Sequence, residues 1–268
     1  IRHEPRIQEI HDSLQHQGLH PFYLPLAIKL NETDRRSSAC IRCDTCDGFP
    51  CLLDAKADAD VACIRPAEAY ANVTLLTEAK AERLHTSASG REVTGVEVMW
   101  QGKTHIFTAG IVVIACGAIN SAALLLKSAN DQHPKGLANR SDQVGRNLMK
   151  HQNGAIIGVT TKLNLTTFQK TLGINDFYWG DEDFDYPMGH VQLLGKVNAD
   201  MIAQESPSVL GVSFREQHTF EAIASRSVDW WLTAEDLPAP NNRVTLHGDS
   251  IQLHYTENNT AAYDRLLH

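Results

Sequence analysis

Four of the chain's six cysteines fall close together, at Cys40, Cys43, Cys46 and Cys51. Thiols spaced Cys-x2-Cys-x2-Cys-x4-Cys on short loops can converge on one zinc ion or iron–sulfur centre, with Zn–S distances near about 2.3 Å. The run departs from the bacterial ferredoxin spacing, which has three residues before its last Cys and a proline after it; here Pro50 precedes Cys51. Two readings stay open: a metal or cluster on Cys40, Cys43, Cys46 and Cys51, or packed thiols and local disulfides. A disulfide framework belongs mainly to small secreted domains with thin cores, and a chain of 268 residues is not small.

A second chemistry is written in Ala115-Cys116-Gly117-Ala118. Where a strand ends and a helix begins, glycine lets the backbone approach a phosphate or ribose closely. Cys116 reads as a small hydrophobe, since no base is identifiable beside it. The thirteen histidines are scattered, and His190, His218, His247 and His254 lie in or near strands at no ligand-like spacing. Gly-x-Gly-x-x-Gly, the P-loop, Gly-x-Ser-x-Gly and His-Glu-x-x-His are all absent. Trp230-Trp231 in a strand puts one indole on each face, so one is core and the other can line a carbohydrate pocket.

The elements that must position these groups follow from periodicity. Pro5, Ile7, Ile10 and Leu14 predict an opening helix that Gly18 stops. Residues 31–69 are polar, Asp-rich and without period, a long irregular segment. Short strands are expected at Val73–Leu76, Ala79–His85, Val93–Trp100 and Thr104–Thr108. Ile111–Ala115, β-branched and without polar alternation, reads as a strand covered on both faces, and Ile119–Ser128 follows as a helix. This is a β-meander feeding an α/β turn, the edge of a dinucleotide-binding sheet. Beyond Gln152 the pattern turns to antiparallel strands at Ala155–Thr161, Gly189–Val197, Val209–Glu216, Arg226–Thr233, Arg243–Leu246 and Ile251–Tyr255. Gly248-Asp249 makes a hairpin turn, and Asn259 caps a last helix.

Composition bounds the rest. Apolar residues make up 43%, and 32 acidic against 24 basic side chains give a net charge of −8, so nucleic acid is not an expected partner. No apolar run reaches the ~18–20 residues of a transmembrane helix, and no signal peptide is recognised at the start. The compartment expectation is cytoplasmic by default. The chain opens on Ile1 and breaks off inside a short helix, which is the expectation for a piece of a longer polypeptide.

Taken in order, several stretches resemble the glucose–methanol–choline (GMC) family of FAD-dependent alcohol and sugar oxidoreductases. They are Cys46–Lys56, Asn72–Leu84, Gly95–Val98, Val112–Ser121 with Leu124–Ser128, Gly136–Asn139, Val144–His151 and Leu237–Leu246. The resemblance implies FAD as cofactor, with Ala81 at the adenine and Cys116, Gly117 and Ala118 beside the bound group. It implies an α+β and α/β architecture: a partial Rossmann-like FAD-binding portion at 71–130, and a substrate domain at 131–268 joined by the helix in 1–30. That domain is a mostly antiparallel sheet with helices on one face, and 31–70 is the Cys-rich segment. The implied reaction is hydride transfer from a CH–OH carbon of an alcohol or sugar to flavin, with an electron-acceptor protein as a further partner. The family's catalytic His is expected beyond His268, so none is assigned, and this chain alone is expected to be inactive. A non-catalytic zinc or iron–sulfur module on the cysteines is the rival reading.

Overall fold

A computed structural model describes residues 1–43, 46, 49–209 and 217–268. In chain order the elements are α1 (Pro5–His16), β1 (Phe22–Tyr23), α2 (Arg65–Glu68), β2 (Lys80–Thr86), β3 (Val93–Trp100), β4 (Lys103–Phe107) and α3 (Gly117–Lys127). There follow β5 (His151–Val159), β6 (Leu172–Ile174), β7 (His190–Leu193), α4 (Ala199–Val209), α5 (Gln217–Ala224), β8 (Ser227–Glu235), β9 (Arg243–His247), β10 (Ser250–His254) and α6 (Thr260–Leu267). The chain divides into two compact units: Ile1–Val73 with His151–Glu235 and Asn259–His268, and Thr74–Lys150 with Asp236–Asn258.

The first unit is built on an antiparallel sheet in the order β1-β6-β7-β8-β5. Side chains alternate along β8, so Val228, Trp230 and Leu232 share one face. Ile7 of α1 packs there with Leu172, Leu193 and Val228, its side chain fully buried. Burying an isoleucine of this kind contributes about 2 kcal/mol. Leu266 of α6 packs on the same face with Met188 and Leu232. Helices α1 and α6 therefore lie on one face, as the resemblance implies, and Trp230 is the core indole of the pair. Helices α4 and α5 pack on each other through Ile202, Phe220 and Ala224.

The second unit is the meander β2-β3-β4, helix α3 and the β9-β10 hairpin. Leu84, Leu124 and Leu137 form its core, joined by Val96, Val112, Ile114 and Leu125. Ser128 closes α3 onto β2: its hydroxyl donates to Leu124 O at 2.7 Å and accepts from Leu84 N at 2.9 Å. The hairpin belongs here because the 145–150 segment is stitched to it. Val244 N donates to Gly145 O at 2.7 Å, and Leu148 N to Asn242 O at 2.8 Å. Arg146 Nη1 reaches Pro240 O at 2.9 Å.

Several expectations are corrected. Val73–Leu76 forms no ladder. Ile111–Ala115 is extended, yet among the described residues it pairs with no strand and is covered on one face only. Val112 and Ile114 turn into the core, whereas Ile111 and Val113 are 83% and 79% exposed. Asn259 holds the N-cap position of α6, as expected, but its side chain makes no capping bond. Its φ is +59°, and its side-chain amide donates instead to Glu235 O at 2.7 Å. The strand expected at Val209–Glu216 lies outside the described residues except for Val209, which ends α4.

Candidate active site

The corner at Cys116–Ala118 is made by the end of one extended segment and the start of α3. Cys116 has φ −94° and ψ 18°, Gly117 has φ +78°, and all three residues are exposed. A right-handed residue followed by a left-handed one turns successive N–H groups toward a common point, a backbone nest for an anion. The first N–H groups of α3 have no intrahelical acceptor and reinforce that preference. Cys116 N is already used, donating to Ser121 Oγ at 3.0 Å. A Cβ built on Gly117 would meet nothing of the protein within 4 Å, so the space over the corner is open. These residues fit a phosphate-bearing cofactor such as FAD.

Ala81 is exposed on β2, opposite Val98, at a register shift between Ala81 and Arg83. Its neighbours Lys80 and Glu82 share a cavity of about 550 Å³ with Leu126 and Lys127, the last turn of α3. The corner opens the first turn, about 15 Å away along an eleven-residue helix. Ala81 and the Cys116–Ala118 corner thus stand at opposite ends of α3 and do not converge on one point.

Cys40 is buried, and its Sγ accepts from Arg42 N at 3.4 Å; Cys51 Sγ accepts from Ala55 N at 3.4 Å. Among the described residues no three His, Cys, Asp or Glu side chains come together as metal ligands. Nothing among the described residues gathers Cys40, Cys43, Cys46 and Cys51 into a ligand set for a zinc ion or an iron–sulfur centre.

The sheet face opposite α1 and α6 offers a second surface. The register puts His190 across from Thr233, Gln192 across from Trp231, and Asn153 across from Thr233. Asn153 is exposed and the other four are half-buried. His190 Nδ1 meets Asn175 Oδ1 at 2.6 Å and its Nε2 meets Gln192 Oε1 at 3.1 Å; Thr233 Oγ1 donates to Asn153 Oδ1 at 3.0 Å. An indole flanked by polar side chains suits a polyhydroxylated ligand, with apolar stacking and hydroxyl recognition side by side. Sequence reading put one of Trp230 and Trp231 outward without deciding which, and read His190 as a histidine at no ligand-like spacing. Period-two alternation marks 190 with 192 and 231 with 233, but only the register joins the two pairs.

At one end of that face Asp229 is buried in a polar knot. Its Oδ2 accepts from Gln169 Nε2 at 2.8 Å, Val197 N at 3.2 Å and Ser227 Oγ at 3.2 Å, while Oδ1 is buried without a partner. Burial raises its carboxyl above the usual range, against those donors and Lys196. The knot ties the 195–197 segment to β8.

The antiparallel sheets and the helices between them in sequence make this a mixed α/β chain. Residues 24–153 match the sequence model of GMC oxidoreductase. The chain is 39% identical over 133 residues to 6'''-hydroxyparomomycin C oxidase of Streptomyces lividus, covering 49% of this chain and 24% of that protein. It is 32% identical over 204 residues to paromamine 6'-oxidase of Streptomyces fradiae, covering 72% of this chain and 37% of that protein. The crystal structure of pyridoxine 4-oxidase from Mesorbium loti aligns with 80% of this chain and 40% of its own, at 18% identity and TM-score 0.48. The chain belongs to the GMC oxidoreductase family, and it spans little more than a third of the length of these curated relatives at most.

Proposed function

We propose that this chain is part of an FAD-dependent oxidoreductase that oxidises a CH–OH group of an alcohol or sugar, and that alone it does not turn over. The observation that carries the reading is the unobstructed corner at Gly117, whose backbone N–H groups would hold the cofactor's phosphate or ribose, with Ala81 toward its adenine end. When bound, flavin supplies the acceptor for a hydride from the alcohol carbon. The chain's own part is binding and orientation. Trp231 offers a stacking surface, and Gln192, Thr233 and Asn153 offer donors and acceptors for neighbouring hydroxyls. The proton acceptor for the alcohol is assigned to none of these residues. His190 is engaged on both ring nitrogens, by Asn175 and Gln192, and orients rather than abstracts. Relatives named as oxidases of 6'''-hydroxyparomomycin C and of paromamine support a hydroxylated substrate.

Titration of the 268-residue chain with FAD, followed by quenching of flavin fluorescence, tests the reading. Weak saturable binding is expected, and Gly117→Val is expected to reduce it at least about tenfold, because a side chain at positive φ distorts the nest. Equal binding by both proteins, or none by either, overturns the placement.

A further inference from the structure

The cavity of about 550 Å³ at the last turn of α3 is separate from the Gly117 corner and belongs to the second unit alone. Six charged side chains line it: Lys80, Glu82 and Arg83 of β2, Glu97 of β3, Lys127 of α3 and Asp249 in the turn between β9 and β10. Three are cationic and three anionic, so the lining is balanced. Not all of these charges are spent on one another. Lys80 Nζ holds Glu82 Oε1 at 2.9 Å, and Glu97 Oε2 meets His85 Nε2 at 3.0 Å. Arg83 commits Nη1 to Ala129 O, at 3.3 Å, and keeps its other donors. Lys127 and Asp249 make no ion pair or side-chain hydrogen bond among the described residues. Both are nevertheless close enough to act on the Lys80–Glu82 pair. The bond and charge of Lys80, then the charge of Lys127, hold the Glu82 carboxyl below its usual range. The bond and charge of Glu82, then the charge of Asp249, hold the Lys80 ammonium above its own. An ammonium from the helix and a carboxylate from the hairpin turn thus stand open in one cavity, with Leu126 and Leu246 as its apolar lining.

We propose that this cavity binds a zwitterionic small molecule, a free α-amino acid with an aliphatic side chain. Lys127 with Arg83 takes the carboxylate, Asp249 takes the ammonium, and the side chain lies on Leu126 and Leu246. The balanced lining decides between ligand classes. A phosphate-bearing anion would meet Glu82, Glu97 and Asp249 as like charges, and a polyamine would meet Lys80, Arg83 and Lys127 in the same way. A ligand with one charge of each sign finds an opposite partner for both. The volume falls within the range of about 300–1,000 Å³ that small-molecule sites occupy.

Isothermal titration of the chain with L-leucine at low ionic strength tests the site. Saturable binding with a Kd on the order of 1 mM is expected. Isocaproate and isoamylamine carry the same side chain with one charge each, and both are expected to bind about tenfold more weakly. Lys127→Gln and Asp249→Asn should each weaken leucine about tenfold and leave thermal melting unchanged, since neither side chain is buried. Absence of saturable binding, or equal leucine affinity in the parent and both variants, overturns the site. Pyrophosphate or putrescine binding more tightly than leucine overturns the zwitterion as its ligand class. Displacement of leucine by FAD overturns the proposal by assigning the cavity to the cofactor.

Discussion

His3 is where acid first reaches the fold. Its ring stacks on Tyr23 at 4.0 Å, Nδ1 meets Thr171 Oγ1 at 2.7 Å, and Nε2 is buried without a partner. Burial, then the charges of His11 and the Ile1 ammonium, lower its pKa to about 4, with Asp12 opposing. The unfolded chain therefore takes up a proton near pH 6.5 that the folded chain refuses, and stability declines as pH falls from 6.5 to about 4. Below that window the penalty is complete. His3→Gln, which keeps a partner for Thr171, should flatten this part of the pH profile in urea-unfolding midpoints. Parallel decline in both proteins would show that other groups dominate. Asp229 has the opposite sign. Its raised carboxyl makes the charged form a cost that grows as pH rises through its folded value, so Asp229→Asn should cost little at neutral pH. Asp229→Leu should cost about 2–4 kcal/mol, because Gln169 Nε2 and Val197 N lose their acceptor inside the protein. Chemical denaturation at pH 7 separates the two substitutions. Residue types were legible in sequence here, but partners were not: nothing in the pattern announces that Asp229 sits beneath a loop from 164–169.

At the scale of elements, legibility followed periodicity. Helix α1 carries Ile7, Ile10 and Leu14 on one stripe, and β3 alternates Val96 and Val98 against polar neighbours, so both were readable. Strands β1 and β6, of two and three residues, are too short to show a period and exist because β7 and α1 complete the layer around them. Ile111–Ala115 has the composition of a buried strand, but a ladder needs a neighbour, which sequence composition does not supply. The docking of α6 gives a sharper test. Tyr263 lies against the Cα of Gly154 on β5, where a Cβ would overlap its hydroxyl. The glycine is there for close approach rather than for its φ. Gly154→Val should lower stability by about 1–3 kcal/mol through overpacking, and Gly154→Val combined with Tyr263→Ala should recover part of that loss. Thermal melting of the single and double variants measures the coupling; additive losses would mean that α6 is held elsewhere.

At the scale of the whole molecule, the two units are interleaved in sequence, and residues 131–150 and 236–258 belong to the unit that holds the meander. Sequence reading drew its boundary near 130, where the helix after the glycine corner ends, because the stitching of Gly145 to Val244 and of Leu148 to Asn242 links positions almost a hundred residues apart. Both units present large apolar side chains to solvent: Ile111 and Val113 in one, Leu52 and Leu165 in the other, at 83%, 79%, 96% and 83% exposure. Ile111 and Val113 matter most for solution behaviour. They alternate along one extended segment whose backbone is unpaired among the described residues, the combination that templates strand addition and self-association. Their side chains bury nothing in their own unit, whereas Val112 and Ile114 between them hold its core. Replacing Ile111 and Val113 together by lysine should therefore leave the urea midpoint within about 0.5 kcal/mol of the parent. The same change should reduce dye binding to exposed apolar surface and raise the concentration at which light scattering detects association. Val112→Lys is the contrasting variant, expected to unfold the meander unit because it buries an unpaired charge. A large loss of stability in the double variant would place Ile111 and Val113 inside a packed interface of the chain itself, and with it close the corner that the cofactor reading requires.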